Sequence, residues 1–405
     1  MSAPVRLLTF SSLYPNAAQP THGVFVENRL RHLLASGAAR STVLAPVPWF
    51  PSTAPRFGAW AAFARAPRAE TRHGIAVHHP RFAVIPRVGM SVAPWLLYRA
   101  ALPAARRLLA DGVAFDAIDA HYVYPDGVAA VWLGAALGRP VVITARGTDV
   151  NLIPRYAVPR RLIQGAIAQA AGLVAVSAAL AEVLVGLGAP AEKVTVLRNG
   201  VDLALFRPPQ DRAAARAALG LAGPTLISVG HLIERKGHDL VIAALASLPD
   251  WSLLIVGEGP ERAKLEALAA HPGLAGRVRL LGGRPHGELP ALYGAADVLV
   301  LASSREGWAN VLLESMACGT PVVASDIWGN PEVVQRPEAG RIVPRAAAAI
   351  AAGVADLAAA APARAATRAY AEEFSWDATT EGQLALFRRV IAAHALPAAA
   401  NRGPA

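Results

Sequence analysis

Short apolar runs, each followed by a polar turn and a helical stretch, recur along the chain and limit what it can fold into. "VRLLTF" (5–10) comes first, followed by the loop "SSLYPNAAQPTHG" and the helical "VFVENRLRHLLASG". "STVLAPV" (41–47), "DAIDAHY" (116–122), "PVVITARG" (140–147) and "GLVAVS" (172–177) repeat that order. Such runs alternating with helices predict a parallel, doubly wound sheet. "VTVLRNGVDLALFRPP" (194–209) reads as a seam, where a strand ends in Arg-Asn-Gly and Pro208-Pro209 stops any helix. A second series follows: "TLISVG" (225–230), "WSLLIVG" (251–257), "VRLLGG" (278–283), "DVLVLAS" (297–303) and "PVVASD" (321–326), with helices opening near Asp239 and Pro260. At 405 residues, 54% of them hydrophobic, the chain is long enough for two α/β domains of about 200 residues each. The expected organisation is two Rossmann-like halves, 1–197 and 198–373, and a separate amphipathic helix over 374–396 with Ser375 as its N-cap. The alanine-rich segment 346–366 is expected to be one helix, and the tail after Leu396 to be disordered.

The formal charge is +10, yet only Lys193, Lys236 and Lys264 are lysines among 39 basic residues. A bias toward Arg, Ala, Pro and Gly explains part of the excess. The rest suits anionic partners such as nucleoside diphosphates or phospholipids, and no known motif supports nucleic acid. One cysteine, Cys318, excludes an internal disulfide. The opening "MSAPVRLLTFSSLYP" has no secretory h-region, and the apolar tracts 163–189 and 346–362 carry polar residues. The expectation is a cytoplasmic protein. Residues 49–73 interleave Trp49, Phe50, Phe57, Trp60 and Phe63 with arginines and prolines. Two readings stay open there: an irregular surface loop packed by its own aromatics, or a patch that meets an anionic membrane at its inner face.

Chemistry concentrates in "SSREGWANVLLESMACGTPVV" (303–323). A strand ends near Ser303, a helix "VLLESMACG" ends at Gly319, and the turn between them lies where doubly wound sheets bind ligands. The amides of Ala309, Asn310 and Val311 at the helix start can face a diphosphate, and Gly307 lets the backbone come close. Glu314 lies four residues past Asn310, ~6 Å along the axis. That reaches a ribose, whose two hydroxyls one carboxylate can accept. Glu306, before the helix, falls where a sugar on the β-phosphate would lie. The bland alternative makes Glu306 a capping acid and Glu314 a solvated position. Two more turns at the same sheet edge support the ligand reading. "VGHLIERKGHDL" (229–240) offers Arg235 and Lys236 to a diphosphate. "IVGEGPER" (255–262) brings Gly257 and Glu258 to the pocket wall. Gly23 opens the first helix and is placed to approach the same phosphates.

These motifs, taken in order, resemble the retaining glycosyltransferases of family 4, which have the two-domain GT-B fold. The residues that carry the likeness are the pair Glu306/Glu314, Lys236-Gly237, "GEGP" at 257–260, "NGVD" with Phe206 and Pro208, and "CGTPVVASDIWGNPEVV" at 318–334. The resemblance implies two Rossmann-like domains facing an interdomain cleft, a nucleoside-diphosphate sugar as donor, and a sugar or lipid-linked sugar as acceptor. It implies Glu306 on the donor sugar, Glu314 on the ribose, and Lys236 with its neighbour on the diphosphate, with Trp308 part of the same turn. It implies no metal and no cofactor, and a final helix that returns to the first domain. Two positions depart from the family pattern: His231 stands where Arg is usual after the strand glycine, and Arg146, in "ARGTD", replaces a histidine.

The expected reaction is sugar transfer with retention, in cell-surface polysaccharide or glycolipid synthesis. The sequence shows no second carboxylate placed as a nucleophile, and a front-face attack assisted by the leaving phosphate is what the resemblance implies. No Asp-x-Asp sits at a strand end to hold a metal. Arg146 stays protonated and can only donate. His121, at another strand end, is the candidate base, or else a buried structural histidine. Two rivals stay open: a catalytically impaired nucleotide-sugar-binding protein, which the two departures keep open, and a dinucleotide-dependent oxidoreductase. The latter lacks a G-x-G-x-x-G turn.

Overall fold

The computed structural model describes residues 3–85, 89–274 and 276–395; the tail expected to be disordered lies outside them. Strands β1 (Val5–Phe10), β2 (Ala39–Leu44), β3 (Val47–Pro48), β4 (Ala69–Arg72), β5 (Ile75–His78) and β6 (Arg81–Phe82) come first. Next come β7 (Ala117–His121), β8 (Val141–Ala145), β9 (Gly172–Ala175) and β10 (Val194–Val196). The second series is β11 (Thr225–Val229), β12 (Ser252–Val256), β13 (Val278–Leu280), β14 (Val298–Leu301), β15 (Val322–Ser325) and β16 (Gly340–Val343). The described residues divide into two compact units, one up to Arg198 together with 377–395, the other Asn199–Trp376.

The first unit holds an eight-stranded sheet in the order β10-β9-β8-β7-β1-β2-β5-β4, parallel except where β4 returns against β5. Its core includes Val26, Leu30 and Leu33 of the helix Val24–Ala35, packed with Val43, Val142 and Val174 from the strands. Leu384, Leu386, Phe387 and Val390 of the last helix, Trp376–Ala395, fill the same cluster. The second unit holds a six-stranded, wholly parallel sheet in the order β13-β12-β11-β14-β15-β16. Helices lie over strands that are apolar on both faces, as parallel sheets require. Leu226, Ile255 and Val300 meet Val241 and Leu245 on a helix, with Val354 and Leu357 from a later one.

Three segments differ from expectation. "STVLAPV" is not one strand: β2 stops at Leu44, and Val47–Pro48 pairs separately with Arg81–Phe82. Residues 49–73 are not irregular, for they contain a helix, Ala59–Arg65, and the strand β4. The alanine-rich segment is two helices, Ala347–Ala360 and Arg364–Glu372. Ala361 takes a left-handed conformation (φ 42°), and Pro362 disfavours helix at the residue before it. This break matters to the site. Arg364 on the second helix donates to the carbonyls of Gly294, Ala296 and Cys318, and Arg368 to those of Phe206 and Ala317. Both cap the ends of neighbouring helices with charge, the favourable sign for a helix C-terminus. Among the described residues no single helix is long and apolar enough to cross a membrane.

His238 begins the helix His238–Leu245 and is buried, with Nδ1 2.9 Å from Ser228 Oγ. Burial pushes its pKa from 6.5 down to about 4. As pH falls from 6.5 toward 4, the unfolded ring gains a proton that the folded ring does not. Stability present above pH 6.5 is therefore lost across that window, by up to about 3 kcal/mol. Chemical denaturation of the second unit between pH 7 and 4 is expected to show this slope, and His238→Gln to flatten it. An equal slope in the variant would contradict the assignment.

Candidate functional site

The strand order of the second sheet reverses between β11 and β14. In such sheets the usual ligand position is the crevice at the carboxyl ends of the two strands, where the turns 230–237 and 302–309 lie. Backbone contacts lock them together. Ser304 N–H donates to the Arg235 carbonyl at 2.8 Å, and Arg235 Nη1 to the Arg305 carbonyl at 2.8 Å. Gly237, at φ 68°, lies so near the Ala302 carbonyl that a Cβ would stand 2.2 Å from its oxygen. Only glycine fits there. This close approach carries Lys236 onto Glu306: Nζ is 2.5 Å from Oε1, which also accepts from Ser303 Oγ at 2.7 Å. Arg235 Nη1 stands 3.7 Å from Oε2. Two cations against one carboxylate leave the cluster net positive. The helix Asn310–Ala317 starts beside it, and no side chain caps its first amides. Asn199, from the seam, donates to Asn310 Oδ1 at 3.2 Å.

Glu314 is not a solvated helix position; its residue is 9% exposed. Oε2 accepts from the Tyr293 hydroxyl at 3.0 Å, and Oε1 lies 3.2 Å from His286 Nε2. Phe206 packs edge-on to the His286 ring with centroids 5.0 Å apart. Burial first, then the Glu314 charge, holds the Tyr293 hydroxyl well above its ordinary pKa, so it remains a donor. Tyr293, His286 and Ser303 were not singled out from sequence. His286 follows β13 in "GGRPHGELP", so the strand-end rule that found the other turns would have reached it. The third turn closes on the first. At Gly257 (φ 153°) a Cβ would be 1.9 Å from the Gly230 carbonyl oxygen, and Leu232 N–H donates to the Glu258 carbonyl. The Glu258 side chain accepts from Gly283 N–H at 3.0 Å. His231 is exposed, with Nδ1 3.3 Å from the Glu258 carbonyl. Trp308 is buried and directs its ring toward Phe374, centroids 6.3 Å apart. Gly307, Ala309 and Val311 frame the start of the helix.

In the first unit, Arg146 follows β8 and His121 ends β7, and the two are in contact. Arg146 Nη2 lies 2.7 Å from His121 Nδ1, and His121 Nε2 lies 3.1 Å from Asp119 Oδ2. Burial, the largest influence, lowers the His121 pKa. The neutral ring thus donates from Nε2 to Asp119 and accepts from Arg146 at Nδ1, and both nitrogens are in use. Residues 119 and 121 share one strand face, a period-two signal present in "DAIDAH". Burial lowers the Arg146 pKa to about 10, which leaves the guanidinium charged at neutral pH. It lies 5.3 Å from the Phe25 ring centroid, in the first turn of the helix that Gly23 caps. Asp149 holds the turn itself, accepting the N–H groups of Val123 and Gly147 at 2.7 Å. Among the described residues no three His, Cys, Asp or Glu side chains gather as a metal site would need.

Two family profiles match the chain, "Glycosyltransferase Family 4" over residues 59–205 and "Glycosyl transferases group 1" over residues 210–374. D-inositol 3-phosphate glycosyltransferase of Segniliparus rotundus is 38% identical over 229 residues, 52% of this chain and 51% of that protein. The chain thus spans about half the length of the curated relatives it first matches. The protein of the same name from Jonesia denitrificans is 34% identical over 306 residues, 68% of this chain and 72% of the relative. Sucrose-phosphate synthase of Thermosynechococcus elongatus superposes with a TM-score of 0.77 at 23% identity, covering 96% of this chain and all of that one. Anabaena HepE in complex with UDP-glucose superposes with a TM-score of 0.69 at 23% identity, over 94% of this chain and 98% of that one. With both halves matched by profile and the whole chain matched in fold, the protein belongs to the family 4, group 1 glycosyltransferases and has their GT-B fold.

Proposed function

We propose that this protein transfers a sugar from a nucleoside diphosphate to an acceptor hydroxyl with retention at the anomeric carbon, without a metal ion. The observation that carries the reading is the Arg235–Lys236–Glu306 cluster beside an uncapped helix start. The two cations and the first amides suit a diphosphate, and they become more favourable as negative charge grows on the leaving phosphate. Glu306 would contact the donor sugar, and Lys236 would exchange part of its contact with Glu306 for phosphate oxygen. Glu314, held by Tyr293 and His286, would accept from the ribose hydroxyls. Gly257, Glu258, His231 and Gly307 would line the base and diphosphate, and Gly23 would approach the phosphates. HepE in complex with UDP and with UDP-glucose supports this donor class. Relatives named for D-inositol 3-phosphate make that compound a polar acceptor to assay.

Arg146 takes the place expected of a catalytic histidine, and His121 acts on it as a positioning residue. The neutral imidazole accepts from the guanidinium, and Asp119 fixes the tautomer. Arg146 would donate to a sugar hydroxyl or brace the leaving phosphate. This arrangement supports an active enzyme over an impaired binder. The proposed place of action is the cytoplasmic face of a membrane, in polysaccharide or glycolipid synthesis, with residues 49–73 meeting anionic lipid.

Glu314→Ala is expected to weaken UDP binding by about 1.5–3 kcal/mol, the range for hydrogen bonds to a charged group. Glu306→Gln is expected to cut turnover more than it weakens UDP binding. Calorimetry with UDP and donor-consumption assays in excess EDTA read both. Near-zero effects of both changes, or activity abolished by EDTA and restored by Mn2+, would overturn the assignment.

Arg146→Ala is expected to fold normally and lose ~10²–10³ in turnover, the scale for removing one charge-stabilising donor. Steady-state kinetics with UDP affinity measured in parallel is the check. Near-normal turnover in that variant would make Arg146 structural.

A further inference from the structure

The first sheet also reverses its order, between β1 and β7. The same topological argument that locates a crevice in the second unit locates one here. A cavity of about 270 Å³ occupies it. Ser12 from the turn after β1 and Tyr124 from the turn after β7 form one wall. Phe82, which ends β6, and Val84 just past it, with Met90 and Ala93 from the helix Gly89–Ala110, form the others. The polar atoms in that lining are already satisfied. Ser12 Oγ donates to Asp126 Oδ2 at 2.9 Å, and the Tyr124 hydroxyl donates to the Met90 carbonyl. A sugar needs convergent donors and acceptors; this wall offers hydrocarbon. Its mouth is apolar too, for Ile85 and Met90 are each 43% exposed.

A second, independent observation indicates where such a ligand comes from. Trp49 N–H donates to the Phe82 carbonyl at 2.7 Å, so the aromatic stretch begins at the cavity wall. Phe50 packs against Phe57 and Trp60 at 5.2 and 5.6 Å, a platform that leaves Trp60 39% and Trp49 57% exposed. Arg56 lies over the Phe57 ring, and Arg99 over the exposed Trp95 on the helix that walls the cavity. From residue 49 to 110 the only acid is Glu70, and its carboxylate lies 2.9 Å from His79. Exposed tryptophan among arginines with almost no opposing charge fits an anionic lipid interface.

We propose that this cavity takes the hydrocarbon chain of a lipid-linked acceptor, drawn from an anionic lipid surface on which Trp49, Trp60 and Trp95 rest. The word acceptor rests on the glycosyltransferase reading; the binding of the chain does not. It explains why the acceptor-side crevice is apolar in an enzyme that handles sugars: the cavity recognises the carrier, and only the hydroxyl end of the acceptor is presented for reaction.

The test uses the full chain and dodecyl phosphate, below its micelle-forming concentration, against butyl phosphate, with UDP binding measured in parallel. Dodecyl phosphate is expected to bind at least tenfold more tightly than butyl phosphate. Ala93→Phe, which fills the cavity, and Val84→Glu, which puts charge at its wall, are each expected to remove that preference and leave UDP affinity unchanged. Equal binding of the two phosphates, or a preference that survives both variants, overturns the proposal. Transfer to inositol 3-phosphate by a protein with no chain-length preference overturns it equally. Loss of UDP binding in the unmodified chain, with the chain-length preference intact, would fail the donor reading and leave the cavity standing. Cosedimentation with phosphatidylglycerol vesicles should fall with salt and fall severalfold in Trp60→Ser. Equal partition onto phosphatidylcholine would overturn the surface half.

Discussion

In a parallel sheet every strand leaves by the same edge, and where the strand order reverses the departing turns separate. That constraint governs both units. In the second the reversal falls between β11 and β14, and the glycines at 237 and 257 let the turns at the carboxyl edge stack backbone on backbone. The Lys236–Glu306 contact follows from that stacking: no side chain reaches far, because the main chain has already brought the turns together. In the first unit the same reversal opens a crevice, but its walls are hydrocarbon. The same topological position thus carries a charged cluster in one half of the chain and an apolar cavity in the other, and the residues in the turns decide which.

Charge in the second crevice is held by geometry rather than by deep burial. Glu306 faces two cations that are themselves partly exposed, an arrangement that a diphosphate can rearrange without leaving the carboxylate unpaired. Glu314 is held more firmly, by a buried tyrosine and a half-exposed histidine. Arg364 and Arg368 fix the helix ends around it from the far side. The site is therefore supported by a helix whose existence depends on Ala361 and Pro362 breaking an alanine run.

Most strands and the turns at their carboxyl ends were legible in the sequence, because a strand buried on both faces writes itself as an unbroken apolar run. The pairing of β3 with β6 and the hairpin of β4 and β5 were not. Two-residue strands carry no period, and β4, "AETR", is polar along its length. Glu306 and Lys236 were each legible from a place at a strand end, although 70 residues separate them. The partners of Glu314 come from 21 and 28 residues away, brought by a helix crossing that no local pattern encodes. His121 is the instructive case. Its strand-end position suggested a base, but Asp119 two residues earlier and Arg146 just past the neighbouring strand occupy both ring nitrogens. Only the pairing of β7 with β8 brings that arginine to it.

The last helix gives the molecule a temporal asymmetry. The second unit is one continuous stretch, Asn199–Trp376, and contains its whole core. The first unit is translated ahead of the second but lacks Leu384, Phe387 and Val390 until the second has been made. During synthesis the half made first is therefore the half completed last, and its apolar sheet face stays uncovered while its neighbour is translated and closes. Proteolysis of ribosome-bound chains of increasing length would read that order, and early protection of residues up to Arg198 would refute it. A chain stalled just before Asp377 would carry a finished second unit attached to a first unit with one face still open.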